Sequence, residues 1–245
     1  MSADLEKLTQ AMLDAAKKAG AETADAMAVQ GTSLSIDVRG GRLEQAERSE
    51  GIDLGLRVMI GKRQANVSVS DASAATLATM AERAVAMALE APEDPYIGLA
   101  DPEQLIRTWD ITAYEMADSS PEPTPAQLQT DAAEAEAAGL AVQGVSQVQS
   151  ATAGYSASQV HLAASNGFSG GYGRTSRATS CVAIAGTGEH MERDYDGDGR
   201  TFQNDLRRPD DIGKTAGERA VARLDAIQPP TGSYPVLFDE RISSS

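Results

Sequence analysis

The chain has 245 residues and a formal net charge of −15 at a sequence pI of about 4.5, and no Lys/Arg cluster offsets that acidity locally, which argues against direct contact with nucleic acid or an anionic membrane. A single cysteine, Cys181, excludes an internal disulfide, and the sequence from Met1 lacks both a secretory signal pattern and any apolar run long enough to span a bilayer. Apolar residues make up 41% and aromatics only 4%, so a core here is built from small side chains, and a reducing cytosol is the expected setting.

In chain order, Leu5, Leu8, Met12 and Ala15 recur at helical spacing before Gly20, which predicts a helix from about Ala3 to Ala19. Alternating stretches follow at 25–30, 33–39, 42–47, 52–60 and 64–69, broken at Gly31, Gly40-Gly41 and Gly61. They read as an antiparallel meander. Asp71 or Ser73 can cap a second helix, in which Leu77, Met80, Ala84 and Met87 share a face and which ends before Pro92. Residues 91–102, with three prolines and several acids, read as an ordered connection, and Trp109 as a packing residue.

The clearest boundary is 119–125, whose last residues start a third helix: Thr124 as N-cap, Pro125 at N1 and Gln127 at N3 form a capping box, with Gly139 as the expected stop after Ala138. Alternation resumes over 142–149, 154–156, 159–164 and 175–184. Pro209-Asp210-Asp211 then opens a helix carrying Ile212, Ala216, Ala220 and Leu224. The predicted class is therefore α+β, with two helix–strands–helix units and mostly antiparallel sheets, duplication being left open. Expected domains are an N-terminal α+β domain at 1–118, a second at 119–231 and the start of a C-terminal one at 232–245. There Tyr234 to Asp239 reads as a strand, and the chain reads as the N-terminal part of something longer.

Few residues suggest chemistry by themselves. Asp194, Asp196, Asp198, Gly199 and Asp205 have the spacing of a calcium loop, but the strand-like sequence before them and Thr201 at the eighth position do not suit an EF-hand. An acidic solvated turn is the preferred reading. His161 and His190 belong to no ligand motif and read as surface or strand histidines. Cys181 sits in an apolar pattern and reads as a buried inert thiol. Gly167, Gly170, Gly171 and Gly173 lack a phosphate-loop ending and read as a mobile hairpin connection, and the Ser243-Ser244-Ser245 run shows no nucleophile elbow. No catalytic and no metal-binding residue is assigned in this chain.

Taken in order, Gly51 to Val58, Gly61-Lys62-Arg63 leading to Ser68-Val69-Ser70-Asp71, Asp94 to Pro102, Ser165-Asn166-Gly167-Phe168, Met191-Glu192-Arg193-Asp194-Tyr195 and Tyr234 to Phe238 resemble the TldD/PmbA family, specifically its PmbA (TldE) branch. The resemblance implies a cytosolic bacterial subunit that pairs with a TldD-like subunit in a heterodimeric metallopeptidase acting on small unfolded peptides. Zinc, its H-E-x-x-x-H ligands and the water-activating glutamate are then expected in the TldD partner, with no cofactor in this chain. The family's older description as a modulator of DNA gyrase suggests contact with the DNA machinery, against which the acid balance argues. Asn166, Gly167, Arg193, Asp194 and Tyr195 are the expected interface or peptide groove; the competing reading pairs Arg193 with Asp194 and packs Tyr195. Two functional alternatives are a stand-alone peptide-binding or chaperone-like module without an enzyme partner, and an independent hydrolase. Homo- and hetero-oligomers both remain open.

Overall fold

Among residues 4–108 and 110–243, which this computed structural model describes, four α-helices and six strands follow one another in two runs of the same order. The first is α1 (Leu5–Ala19), β1 (Thr23–Arg39), β2 (Arg42–Ile60), β3 (Arg63–Val69) and α2 (Ala74–Glu90). The second is α3 (Pro125–Leu140), β4 (Val145–Ala164), β5 (Ser169–Ala185), β6 (Glu192–Arg200) and α4 (Pro209–Ala222). All six strands form one antiparallel sheet in the order β3-β2-β1-β4-β5-β6. Exchanging β1 with β4, β2 with β5 and β3 with β6 leaves this order unchanged, so the two runs are topological copies joined along the β1–β4 ladder. The α+β class is the one the patterning predicts.

Sheet period explains how one strand serves both halves. Along β1 the buried positions are Ala24, Ala26, Ala28, Leu34, Ile36 and Val38, all of one parity, so they share a face. The first three pack with Met12 and Ala16 of α1 and with Leu77, Met80 and Ala84 of α2. The last three pack with Leu128 and Ala132 of α3. Both helix pairs therefore cover the same side of the sheet. A third cluster sets Ala135 of α3 and Ile212, Ala216 and Ala220 of α4 over Cys181, Ala183 and Ala185 of β5. Small side chains let these layers approach closely, as the alanine-rich, aromatic-poor composition requires.

The strands outrun the expected ones because their glycines do not break them. Gly31 of β1 lies opposite Gly51 of β2 and Ser158 of β4, paired on both sides, so the ladder carries the chain through. The glycine-rich stretch after Gly167 is likewise not a hairpin connection throughout: only Gly167, at φ +96°, sits in the turn, while Gly170, Gly171 and Gly173 belong to β5. Gly139 does not stop α3, which runs on to Leu140, because its bare Cα lies against α4. Residues 233–239 form no strand, having no neighbour to pair with among the described residues. The residues expected at Ala3, Trp109 and Ser244-Ser245 lie outside the described ones.

The caps at Ser73 and Thr124 fall where the sequence puts them, while Asp4, expected inside the first helix, is its N-cap. Asp4 accepts from Lys7 N–H, Ser73 from Thr76 N–H, and Thr124 Oγ1 from Gln127 N–H at 3.3 Å, while Gln127 Oε1 accepts from Thr124 N–H at 2.7 Å. Thr124→Ala should cost about 1 kcal/mol in thermal unfolding, the usual value of such a cap. An unchanged Tm would mean that solvent replaces the box.

Candidate functional site

Asn166 and Gly167 form the tip of the β4–β5 hairpin. Asn166 Nδ2 donates to the Ala100 carbonyl (2.9 Å) and its Oδ1 accepts from Phe168 N–H (3.2 Å), so the side chain ties the tip to the connection after α2. That connection crosses the sheet face opposite the helices, where Ile106, Ile111, Val160, Leu162, Phe168 and Tyr172 line an apolar cleft of about 190 Å³. It also reaches the edge of β5, where Thr175 N–H donates to the Met116 carbonyl (3.1 Å).

Arg193, Asp194 and Tyr195 lie at the other end of β5, where Val182 pairs with Tyr195. The structure does not bring the two groups together: from Ser169 to Val182 is about 40 Å of extended strand at ~3.3 Å per residue. Nor does Arg193 pair with Asp194, because successive residues of a strand point to opposite faces. Arg193 donates to Gln149 Oε1 (3.2 Å). Asp194 turns inward and accepts from Arg223 (3.1 Å) and Arg241 (3.0 Å), and Tyr195, 44% exposed, carries the Arg241 guanidinium 5.1 Å from its ring centre.

The expected acidic turn is a strand with its acids folded in. Asp196 is 3% exposed and accepts from Arg207 (2.8 Å) and Arg219 (2.5 Å), while Asp198 Oδ2 accepts from Arg207 N–H (2.9 Å). Arg219 stands on α4 and Arg223 caps its C-terminal end, so an ionic seam, rather than an apolar one, joins this outermost strand to its helix. Inward-pointing charge is also a known way to keep a sheet edge from pairing with strangers. Burial by itself pushes the Asp194 carboxyl up, but the Tyr195 N–H, Arg223 and Arg241 outweigh it and hold it below the ordinary carboxylate range.

Among the described residues no group of three His, Cys, Asp or Glu side chains is arranged to hold a metal ion. The three aspartates of β6 are paired with arginines. Burial, with Glu136 and Asp196 adding to it, pushes the Cys181 thiol up to about 12, far from a ready thiolate. Thr9 donates its hydroxyl proton to the Glu6 carbonyl (2.9 Å), so it receives Nδ1–H from His161 (2.9 Å), whose Nε2 faces Ser169 Oγ at 3.4 Å. The histidine is thus a latch between α1 and β4, more deeply engaged than a surface residue.

Sequence reasoning passed over Arg177, which is 8% exposed beneath the start of α3. Its signal was available: it occupies the parity of β5 otherwise held by Thr179, Cys181, Ala183 and Ala185, where a charge demands a partner.

Residues 24–88 match domain 1, and 118–224 the central domain, of the PmbA/TldA metallopeptidases. Among curated proteins, the chain is 28% identical over 246 residues to Metalloprotease PmbA of Escherichia coli O157:H7, covering 98% of this chain and 53% of that protein. It is 26% identical over 243 residues to the Metalloprotease PmbA homolog of Haemophilus influenzae, covering 97% and 53%. The chain thus spans about half the length of the curated relatives it matches. Several solved structures share its fold. One, from Bacteroides thetaiotaomicron and described as a candidate modulator of DNA gyrase, has a TM-score of 0.82 at 21% identity over 91% of this chain and 51% of its own. TldE from Thermococcus kodakarensis gives 0.68 at 16%, over 88% and 47%.

Proposed function

We propose, from the premise that this chain belongs to the PmbA/TldA metallopeptidase family, that it works in a two-subunit metallopeptidase acting on small unfolded peptides, as the subunit that does not hold the zinc. The observation that carries this reading is the match of two successive domains of that family in their proper order along the chain. In the whole protein, a TldD-like partner supplies the metal-bound water, and this chain contributes wall and substrate contact. The setting is the cytoplasm; no helix of the described residues is long and apolar enough to cross a membrane.

One local feature suits such a role. Strand β2 pairs with β1 from Arg42 onward but with β3 only from Leu54, so residues 42–53 present an edge with no other backbone partner among the described residues. An extended peptide can add to such an edge through main-chain hydrogen bonds, which give affinity with little sequence selection.

Full-length protein and a TldD-like subunit, mixed at cytosolic salt, should elute as one complex, and peptide cleavage should vanish when the partner's zinc ligands are replaced. Separate elution of the two subunits would sink the proposal.

A further inference from the structure

Three side-chain polar atoms are fully buried without a hydrogen-bond partner among the described residues: Gln64 Oε1, Arg177 Nε and Thr179 Oγ1. Two of them are neighbours on the helix-facing side of β5. Orphaned buried polar atoms are rare enough that each asks for a missing partner, a water, an ion or a ligand. Arg177 also lines a pocket of about 330 Å³ between the segment before α3, the first turns of α3 and the turn at Gln203.

The guanidinium is short of anions despite its acidic surroundings. It spends one N–H on the Pro121 carbonyl (2.7 Å) and lies over Tyr155 at 5.4 Å from the ring centre. Glu122 is taken by Arg48, and Asp118 by the N–H groups of Ser120 (2.8 Å) and Gln203 (3.0 Å). Asp131, one turn along α3 from Gln127, lines the same pocket and makes no hydrogen bond among the described residues. Burial, with Glu134 next, pushes its carboxyl up, with Arg177 acting the other way. A buried guanidinium without a paired oxyanion is costly, and its planar fork matches the two oxygens of a carboxylate.

We propose that this pocket binds the C-terminal end of a peptide, with the terminal carboxylate on Arg177 and the last amide N–H turned toward Asp131. A doubly charged phosphate suits it less, since Asp118, Glu122 and Asp131 surround the single cation. A monoanion that also brings an N–H donor meets both the arginine and the free acid. The pocket sits at the small end of the range for ligand sites, enough for a terminal residue or two. This deepens the peptide reading above by giving the chain end a seat.

The probes are N-acetyl-alanyl-alanine and its C-terminal amide, titrated into the ¹⁵N-labelled 245-residue chain while the arginine Nε–H signals are followed. One signal, identified by its loss in Arg177→Lys, should move saturably with the acid and stay still with the amide. Read on the backbone amide of Gln203, which lines the same pocket, the acid should bind Arg177→Lys about tenfold more weakly or worse, as expected for a lost charge-assisted pair. Because Arg177 is buried, Ser120→Trp serves as a second variant: Ser120 is exposed, so the indole should block the pocket and abolish the shift at unchanged Tm. Equal response to acid and amide, no moving Nε–H signal at tens of millimolar, or an undiminished shift in Ser120→Trp would overturn the site. Complex formation with a TldD-like subunit is a separate readout: if it fails while the acid still moves the Arg177 signal, the proposed function falls and the pocket stands.

Discussion

Gly213→Ala is expected to destabilise the protein by about 3 kcal/mol, the upper part of the usual range for overpacking, seen as a drop in Tm of roughly 6–12 °C for a chain of this size. A Cβ at Gly213 of α4 would stand 1.9 Å from the Ala135 carbonyl oxygen of α3 and 2.7 Å from its carbon, both backbone atoms that cannot rotate away. The helices would have to part, opening the layer that packs Ile212, Ala216 and Ala220 onto β5. Helix propensity works in the opposite direction, since alanine is favoured over glycine by up to about 1 kcal/mol in a helix interior. The steric effect should win because the obstacle is backbone. Gly217→Ala should cost less, its nearest obstacle being the Val142 side chain at 2.8 Å, with the Gly139 carbonyl at 3.0 Å. Calorimetry of the two variants decides: a neutral or stabilised Gly213→Ala would show that α3 and α4 do not cross this closely.

Asp196→Ala should cost about as much, roughly 3 kcal/mol, the low end for removing one partner of a buried ionic cluster. The carboxylate is 3% exposed and serves two arginines, whose side chains remain 40% and 35% exposed, so water softens the loss. Asp194 adds a pH dependence with a definite sign. Its folded-state pKa lies below the ordinary value of 3.8, so its contribution is present above that value and is lost as the pH falls through the depressed one. Acid titration of Tm should therefore show a steep limb below about pH 4 that flattens in Asp194→Asn. Identical limbs in the two proteins would remove Asp194 from the account. The ring of Arg241 contacts predicts that residues 239–243 loosen first as that carboxylate takes its proton.

Much of this fold was legible because local rules and tertiary packing agree. The capping box at Thr124, the stop at Gly20 and the apolar faces of α1, α2 and α4 are short-range features and fall where the spacing puts them, save that Met87 is 48% exposed and Leu224 lies past the end of α4. The repeated helix–strands–helix order was legible for the same reason. What pattern reading lost was the length of the strands. Gly31 reads as a break when considered alone, yet it faces Gly51 in a ladder that carries the strand through. The pairing of Asp194 and Asp196 was illegible too, since their partners, Arg207, Arg219, Arg223 and Arg241, lie 11 to 47 residues further along the chain. The five residues expected to form one interface fall into two groups at opposite ends of β5, a separation that sequence proximity conceals.

By itself, then, the amino-acid sequence determined the four helices, most of the strands, the class and the family, because caps, periodicity and ordered motifs are written within a few residues of one another; β6, read as an acidic turn, was not among them. Only the tertiary structure decided that two copies share one sheet, that the aspartates of 194–198 pair with arginines, and that Arg177 is buried beside a pocket. The physical reason is the same in each case: the cost of a buried charge, and the closeness of two backbones, depend on neighbours that the chain supplies from far away.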